Sequence, residues 1–463
     1  MKLFSRILVV AVCLLFPYFV SANPEAMFWL TKGNQSVLFQ KQKNLLFGNT
    51  ANQYSNIEID TTQTFQTIDG FGFTLTEASA YMIMSMNMNT QKQVMSELFG
   101  NDPNSIGISF IRISIGSSDL STSVYSYDDT KPDETDASLD NFNLGVDRKV
   151  IVPMLQSIIK LNPKIKILAT PWSAPAWMKD NHSPIGGTLV SKYYAAYANY
   201  LVKYLQEMKA LGIPIDLLSI QHDPLSGTNN PSMLLPADKE LTFLKSYLGP
   251  AIKKFGLNTK VIIYDQNCDN TDYATSILKD QVAGNYIAGT GFHLYAGDIK
   301  ALSTVHEAAP DKGVYFTEQS TLSTSEFAND LKWHFKNVLI GATRNWSKCV
   351  LEWNLAADVN NGPHTAGGCN TCKGALTING STVKRNVSYY IIAHAAKAVP
   401  TGSIRIASTI VGDLQNVAFV RPDGKKVLIV ENDGTTTQSF NIKCGGKWCT
   451  TSLEAGSVGT YVW

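Results

Sequence analysis

The 463-residue sequence lacks a large excess of charge of either sign and has no long apolar run beyond its first residues. Its 39 lysines and arginines nearly balance its 38 aspartates and glutamates, and the formal net charge is +1. This balance argues against a nucleic acid or an acidic membrane surface as the partner. Because no later stretch reaches the roughly 20 apolar residues that a membrane-spanning helix needs, we expect no transmembrane anchor. Specificity must therefore come from a local site.

The one apolar run lies at the N-terminus and is too short to span a bilayer. Lys2 and Arg6 precede the apolar stretch from Ile7 to Phe16, and Pro17 interrupts it. Small residues follow at the spacing that a signal peptidase reads, ending at Ala22. The pattern predicts a signal peptide over residues 1–22 and a secreted protein, periplasmic or extracellular.

Cysteine and histidine spacings typical of metal sites are also missing. Cys369 and Cys372 form a CxxC pair, but no second CxxC or histidine pair completes a zinc set. Their Gly-rich surroundings favour a small disulfide within a loop. The sequence also has no HxH or HExxH motif. We therefore expect no metal and no cofactor.

Four cysteines remain in the mature chain. Cys444 and Cys449 flank two glycines between strand-like runs, which predicts a second disulfide that staples a hairpin. Cys268 and Cys349 have no evident partner in the sequence.

From about residue 64, short β-branched runs alternate with longer stretches of helical period, which is typical of a parallel sheet. Convincing helical stretches are Thr76–Leu98, Asp147–Leu161, Ser191–Leu211, Asp238–Phe255 and Ser325–Ala342. Eight strands are enough to close a barrel, whereas a doubly wound sheet would need a third glycine after Gly70-Phe71-Gly72. We predict a (β/α)8 TIM barrel. Its candidate strands are Gln66–Gly72, Ser109–Gly116, Lys166–Trp172, Asp216–His222, Lys260–Asp265, Ile287–Tyr295, Gly313–Glu318 and Cys349–Leu355.

The flanks of the barrel carry short alternating strands with Asp-Gly turn signals. Because both chain ends supply such strands, we predict one small β-sandwich built from both termini. The predicted organisation is the signal peptide at 1–22, sandwich segments at 23–63 and 402–463, and the catalytic barrel at 64–401.

Polar and aromatic residues end nearly every candidate strand, where active sites of such barrels lie. They offer carboxylates for acid/base and nucleophilic work, flat faces for sugar rings, and donors for hydroxyl groups. The alternative is a metal site of mixed histidine and carboxylate ligands, but these residues do not have the HxH or HExxH spacing of such sites. The residues are Asp119, Trp172, His222, Asp223, Asp265, Asn267, His293, Tyr295, Glu318, Trp353 and Asn354.

At these residues the chain resembles the family 30 glycoside hydrolases, the group of glucosylceramidases and microbial β-1,6-glucanases. The resemblance covers nearly all of the mature chain. It rests on Gly70-Phe71-Gly72, Phe110-Ile111-Arg112, the run Thr170 to Lys179, Gly291-Phe292-His293-Leu294-Tyr295, Phe316-Thr317-Glu318, Trp353-Asn354-Leu355 and Gly402-Ser403-Ile404-Arg405-Ile406.

The resemblance implies a retaining β-glycoside hydrolase, glucosylceramidase-like, that acts on a glycolipid or a β-glucan and makes transient contact with a lipid surface. It implies Glu318 as the nucleophile and Arg112 as the cation that keeps it ionised. It also implies the walls of the sugar subsite, Asp119, Trp172, His293, Tyr295 and Trp353. The segment from Gly362 through His364 to Cys372 is similar to the microbial branch, which adds His364 to the substrate-binding candidates.

One motif departs from the family pattern. Asn-Glu-Pro is expected after the fourth strand, but this chain has His222-Asp223-Pro224. Asp223 thus takes the acid/base position with an arm shorter by about 1.5 Å. Retaining enzymes hold their carboxyl groups about 5 to 5.5 Å apart, and inverting enzymes hold them about 6.5 Å or more apart. A weakened or inactive carbohydrate-binding homologue and an altered reaction are therefore the alternatives.

Overall fold

The computed structural model describes residues 24–463, so the predicted signal peptide lies outside the described residues. Within residues 24–463, no helix combines the length and the apolar composition that crossing a bilayer requires.

Eight parallel strands close into a barrel in chain order, the first pairing with the eighth. The predicted TIM barrel is therefore confirmed. The first strand starts later than predicted, because Gln66 belongs to a sandwich strand and the chain turns at Ile68 and Asp69 before entering the barrel. The barrel strands, first to eighth, are Gly70–Thr74, Phe110–Ile115, Lys166–Pro171, Leu217–Ser219, Lys260–Cys268, Ile287–Gly297, Gly313–Glu318 and Ser347–Asn354.

Helices surround the barrel, and the five predicted helical stretches are all present. The first is broken in two because Asn87 caps a new helix by accepting from the backbone N–H groups of Asn89 and Thr90. The helices are Glu77–Ser85, Met88–Phe99, Ile151–Leu161, Tyr194–Ala210, Ala237–Phe243, Leu244–Leu248, Gly249–Lys254, Thr271–Leu278, Gln281–Gly284, Ala301–Ala308, Phe327–Trp333, His334–Ile340, Gly341–Arg344 and Val387–Ala396, with single turns at Ala176–Met178 and Ser191–Tyr193.

Both chain ends build the second domain. The strand Glu25–Lys32 pairs with Ser457–Val462, and Ser55–Thr67 lies between Ile404–Ser408 and Gln438–Cys444. Side chains from both ends of the strand order share one apolar core, so the strands form a sandwich. Its remaining strands are Gln40–Lys41, Leu45–Leu46, Leu414–Val420, Lys426–Asn432 and Lys447–Leu453.

Successive side chains of one sandwich strand pack alternately into the cores of the two domains. In the strand Lys426–Asn432, Leu428 and Val430 enter the sandwich core, while Val427 and Ile429 pack into the core of the barrel domain. This follows from the two-residue period of a strand, which sends neighbouring side chains to opposite faces. The sandwich is therefore fixed to the barrel by buried apolar contacts.

Two small sheets lie in the loops that follow the seventh and eighth barrel strands. Thr321–Leu322 pairs with Cys372–Lys373. The other sheet joins Ala356–Ala357, Leu376–Asn379 and Thr382–Arg385. These sheets order the long segment between the eighth strand and the last helix.

The structure confirms one predicted disulfide and contradicts the other. Cys369 and Cys372 are bonded, whereas Cys444 and Cys449 are free, as are Cys268 and Cys349. The prediction of a second disulfide was wrong because of the hairpin register. Cys449 lies opposite Ile442 rather than Cys444, so the two cysteines are diagonal neighbours. Diagonal positions are about 7 to 8 Å apart, beyond the usual reach of a disulfide.

Candidate active site

Arg112 stands at the centre of the site, at the middle of the second barrel strand. Its side chain is fully buried and donates from Nη1 to Glu318 Oε2 at 2.5 Å and from Nη2 to Asp265 Oδ2 at 2.8 Å. Its Nε donates to Thr170 Oγ1 at 3.3 Å. A buried cation is stable only when it is paired and hydrogen-bonded, and here two carboxylates from two further strands supply the charge.

Glu318 ends the seventh barrel strand and is 5% exposed. One oxygen accepts from Arg112, and the other accepts from the Tyr295 hydroxyl at 3.0 Å. Tyr295 also contacts Ser320 Oγ at 2.9 Å, although its ring is 46% exposed. The Glu318 side chain is thus held in place by a donor at each oxygen.

Asp265 enters the site through a bulge in the fifth barrel strand. Tyr264 and Asp265 have φ values of 73° and 54°, and the pairing with the sixth strand shifts at this point. The Thr317 hydroxyl donates to Asp265 Oδ1 at 2.5 Å. Burial would raise the pKa of Asp265, but the charges of Arg112 and His293 outweigh it and hold the pKa well below its usual value.

His222 lies between Arg112 and Asp223. Its Nδ1 is 3.0 Å from Arg112 Nη2, and its Nε2 is 3.5 Å from Asp223 Oδ2. Because a guanidinium only donates, Nδ1 must accept and Nε2 carries the proton that faces Asp223. Burial lowers the pKa of His222 despite the neighbouring carboxylates, which favours this neutral form.

Asp223 follows the fourth barrel strand with a left-handed backbone, at φ 45°. Its Oδ1 lies 3.2 Å from Nδ1 of His293, so two imidazoles flank the carboxylate. Burial would raise the pKa of Asp223, but the contacts with the His222 ring and with the charged His293 ring outweigh it and lower the pKa. Asp223 is therefore ionised in the free protein.

His293, in the sixth strand, is fully buried and faces a carboxylate with each ring nitrogen. Nδ1 faces Asp223 and Nε2 lies 3.2 Å from Asp265 Oδ1. Burial alone would lower the pKa of His293, but Glu318 and these two aspartates raise it to about 10. The ring is accordingly charged at neutral pH.

Two tryptophans form an apolar wall. The ring of Trp172 stacks on His222 with centroids 4.1 Å apart, and Trp353 lies 5.5 Å from Trp172. The Arg112 guanidinium sits 4.9 Å from the Trp172 ring, which adds a cation–π contact. These buried rings pack against His222 and Arg112 on one side of the charged centre.

Asp119 has an unused acceptor beside this wall. Its Oδ2 accepts from the backbone N–H of Cys369 at 3.3 Å, while its Oδ1 and the Nε1 of Trp172 have no hydrogen-bond partner. Buried polar atoms are normally paired, so these two are suited to a polar ligand. Burial and the charge of Glu318 raise the pKa of Asp119 to about 6.

The site offers a metal-like grouping, since ligand atoms of His222, His293 and Glu318 lie within 4.8 Å of one another. Arg112 contacts two of these residues, and both nitrogens of His293 already face carboxylates. A cation would therefore meet a fixed guanidinium and a protonated ring, since metal ligands must be deprotonated. The charges suit an acid/base site.

Nine of the ten predicted site residues meet around Arg112, and His364 does not join them. His364 is exposed, and its Nδ1 contacts the carbonyl oxygen of neighbouring Thr365 at 2.9 Å. Asp265 ends a candidate strand in the sequence but had no predicted role there. The sequence signal for Asp265 was a carboxylate at the end of a buried strand. The structure shows that it is the second carboxylate that pairs with Arg112.

Comparisons with known proteins agree with this geometry. The model of the glycosyl hydrolase family 30 TIM-barrel domain matches residues 68–399, and that of the family 30 beta sandwich domain matches residues 402–461. The chain is 32% identical over 426 residues to endo-1,6-beta-D-glucanase neg1 of Aspergillus fumigatus, covering 86% of this chain and 85% of that protein. It is 31% identical over 396 residues to putative glucosylceramidase 2 of Caenorhabditis elegans, covering 81% and 76%.

Among solved structures, the endo-β1,6-glucanase BT3312 superimposes with a TM-score of 0.87 at 32% identity, covering 95% of this chain and 99% of that one. The family models span nearly the whole described chain, and the structural match includes both domains. This protein therefore belongs to glycoside hydrolase family 30 and is a glycoside hydrolase.

Proposed function

We propose that this protein cleaves a β-glucosidic bond with retention, with Glu318 as nucleophile and Asp223 as the acid/base residue. The observation that carries the proposal is the pair of carboxylates at the ends of the seventh and fourth strands, one held by Arg112 and the other by two imidazoles. Retaining hydrolysis needs two carboxyl groups in different charge roles.

Glu318 is prepared as a nucleophile because Arg112 and Tyr295 hold one oxygen each. It attacks the anomeric carbon while Asp223 gives a proton to the departing glycosidic oxygen. In the second half, Asp223 takes a proton from water, which attacks the anomeric carbon and frees Glu318. Asp119 Oδ1 accepts a hydrogen bond from one sugar hydroxyl, and the indole N–H of Trp172 donates one to another.

Because the pKa of Asp223 is lowered, its unprotonated form predominates in the free protein, and this form can act as a base but has no proton to give. Formation of the glycosyl-enzyme therefore limits turnover for glycosides with poor leaving groups. These leaving groups need a proton from Asp223, and few protein molecules have Asp223 protonated. Activated leaving groups need little protonation, so aryl glucosides with electron-withdrawing substituents escape this limit. The expected signature is a steep dependence of kcat on the leaving group.

For the substrate we favour a β-1,6-linked glucan, on the basis of the relatives named as endo-1,6-β-glucanases. Export by the predicted signal peptide over residues 1–22 belongs to this proposal. The test for export is the N-terminal sequence of the protein recovered from the expressing cell, which should start after Ala22.

A glycolipid is the second candidate substrate, and one feature of the surface favours it. Five different loops at the carboxyl ends of the barrel strands each expose a large apolar side chain, between 37% and 60% accessible. An apolar rim around a sugar site suits an amphiphilic substrate at a lipid surface better than a polar chain. The residues are Val124, Ile185, Leu225, Leu322 and Val359.

The decisive experiment offers the purified protein an activated 2-fluoro aryl β-glucoside and locates the label by mass spectrometry. Labelling of Glu318, lost in Glu318→Gln, is expected. Absence of label in the parent, together with product of inverted configuration by proton NMR, would exclude the covalent mechanism. Rates on β-1,6-glucan and glucosylceramide then decide between the substrates.

The departure at His222 and Asp223 supports one further candidate, a sugar-binding protein with little turnover. The double variant His222→Asn with Asp223→Glu restores the family pattern at this place. If the parent is an enzyme, it already cleaves unactivated β-glucosides at a measurable rate. A parent that binds but does not cleave, beside an active double variant, would favour the binding protein.

A further inference from the structure

The Cys369–Cys372 disulfide closes a small loop between the eighth barrel strand and the last helix. Both of its cysteines touch walls of the active site. Cys372 is buried with Leu120, Trp172 and Trp353 in one apolar cluster, and Cys369 packs against that cluster. The loop is therefore part of the sugar pocket's frame.

The first end of the loop holds Asp119. The backbone N–H of Cys369 donates to Asp119 Oδ2 at 3.3 Å, and the N–H of Thr365 donates to the Asp119 carbonyl at 2.8 Å. Gly368 permits this approach, because a Cβ there would lie 2.4 Å from the Asp119 carbonyl oxygen. The loop thus fixes the carboxylate that has an unused acceptor in the site.

The second end reaches the nucleophile. Cys372 pairs with Leu322 in the short sheet that follows Glu318. Its Sγ lies 3.5 Å from Ser320 Oγ, which contacts the Tyr295 hydroxyl, and that hydroxyl donates to Glu318. One covalent bond therefore joins the two sides of the sugar pocket.

We propose that the Cys369–Cys372 disulfide is a redox-sensitive positioning element that holds Asp119 and the Ser320–Tyr295 pair in the geometry that binds the sugar. The inference rests on the proposed function, because it concerns the same pocket. Reduction by a dithiol breaks the S–S bond, and two electrons and two protons pass to the cysteines. The dithiol closes to its own disulfide. The freed loop then gains conformations that the bond excludes.

The pKa of Asp119 provides a second measurement, which a general loosening of the loop would not shift in a defined direction. Burial and the charge of Glu318 raise its pKa, while the Cys369 N–H lowers it. Losing that hydrogen bond shifts the pKa of Asp119 upward. If the ionised carboxylate accepts from the sugar, the pH at which binding fails on acidification must rise as well.

The experiment measures binding of p-nitrophenyl β-D-thioglucoside, which is neutral and resists cleavage, by calorimetry. The oxidised full-length protein is compared with protein reduced by dithiothreitol between pH 5 and 8. Affinity should fall about fivefold or more on reduction, on the scale of one lost hydrogen bond. The acidic decline of binding should move to higher pH, and reoxidation should restore both.

Free thiols elsewhere need a control. Cys369→Ser with Cys372→Ser should resemble the reduced parent and ignore the reductant. Cys444→Ser, at a free cysteine in the sandwich hairpin, should respond to reduction as the parent does. Circular dichroism follows folding in every sample.

A second variant leaves the disulfide intact. Gly368→Ala should weaken binding because its Cβ would displace the Asp119 backbone, whereas Gly284→Ala has open space and should not. Equal affinity and equal pH dependence in oxidised and reduced protein would overturn the disulfide proposal alone. Absence of binding in both states would overturn the sugar site and this proposal with it.

Discussion

At the scale of single residues, Arg112 carries the charge balance of the site. It is fully buried and pairs with both Glu318 and Asp265. Two negative charges face one guanidinium here, and His293 supplies the second positive charge from the other side. The four groups form one network, so the loss of any member leaves another without its partner.

Arg112→Met tests this dependence. It leaves the Asp265 carboxylate buried without its main cation, which costs about 3–5 kcal/mol for a broken buried pair. Urea unfolding should report a loss of this size. The control, Arg148→Met, breaks an exposed pair with Glu207 and should cost at most about 1 kcal/mol. Equal stabilities of the two variants would contradict the role given to Arg112.

Asp119 predicts a pH dependence of sugar binding. Its pKa is raised to about 6, so it is ionised at neutral pH and becomes protonated as the pH falls through about 6. A neutral thioglucoside should therefore bind more weakly at pH 5 than at pH 7, as calorimetry can measure. Asp119→Asn should bind weakly at both values, without the change. A parent affinity that is constant over this range would remove Asp119 from the binding set.

At the scale of elements, the bulge in the fifth strand decides which side chain faces the site. The Tyr264 N–H donates to Glu240 Oε1 at 3.2 Å, and the Tyr273 hydroxyl donates to Glu240 Oε2 at 2.5 Å. A buried carboxylate on a neighbouring helix thus holds the left-handed pair that aims Asp265 at Arg112. The bulge works as a positioning device for the charge network.

The first and second barrel strands approach so closely at Gly72 that we expect a side chain at this position to destabilise the protein. A Cβ on Gly72 would lie 1.8 Å from the Phe110 carbonyl oxygen, so Gly72→Ala must push two paired strands apart. We expect a loss of about 1–3 kcal/mol or more in the free energy of unfolding. Gly284→Ala, with nothing near its Cβ, should stay within about 1 kcal/mol of the parent. Similar denaturation midpoints for both variants would refute the packing argument.

At the scale of the whole molecule, the two domains share strands and cores. The N-terminal strand Ser55–Thr67 lies between two strands of the C-terminal segment, Glu25–Lys32 pairs with the last strand, and Val427 and Ile429 pack into the barrel domain. Neither the chain up to residue 401 nor residues 402–463 alone can close the sandwich. Stability is therefore a property of the full chain.

This interleaving predicts one cooperative thermal transition. Scanning calorimetry should show a single endotherm with equal calorimetric and van't Hoff enthalpies. A chain that ends at residue 401 should lose solubility, because the strands near its N-terminus keep unpaired edges. Two separate endotherms in the full chain would show that the domains unfold independently.

The local pattern of the sequence was sufficient for the barrel and for most residues at its active end. Alternation and β-branched runs marked the strands, and strand ends in a parallel barrel must meet at one face, so Arg112 and Glu318 came together although 206 positions separate them. The family motifs led to the proposed roles of the residues at that face.

Only the tertiary structure decided the register and the partners. Asp265 faces Arg112 because a bulge re-aims it, His364 is exposed on its loop, and Cys444 lies opposite Lys447, two residues from Cys449. Local periodicity follows from which face is buried, and neighbouring residues suffice to reveal it. Register and side-chain aim depend on contacts between distant segments, which exist only once the chain has folded.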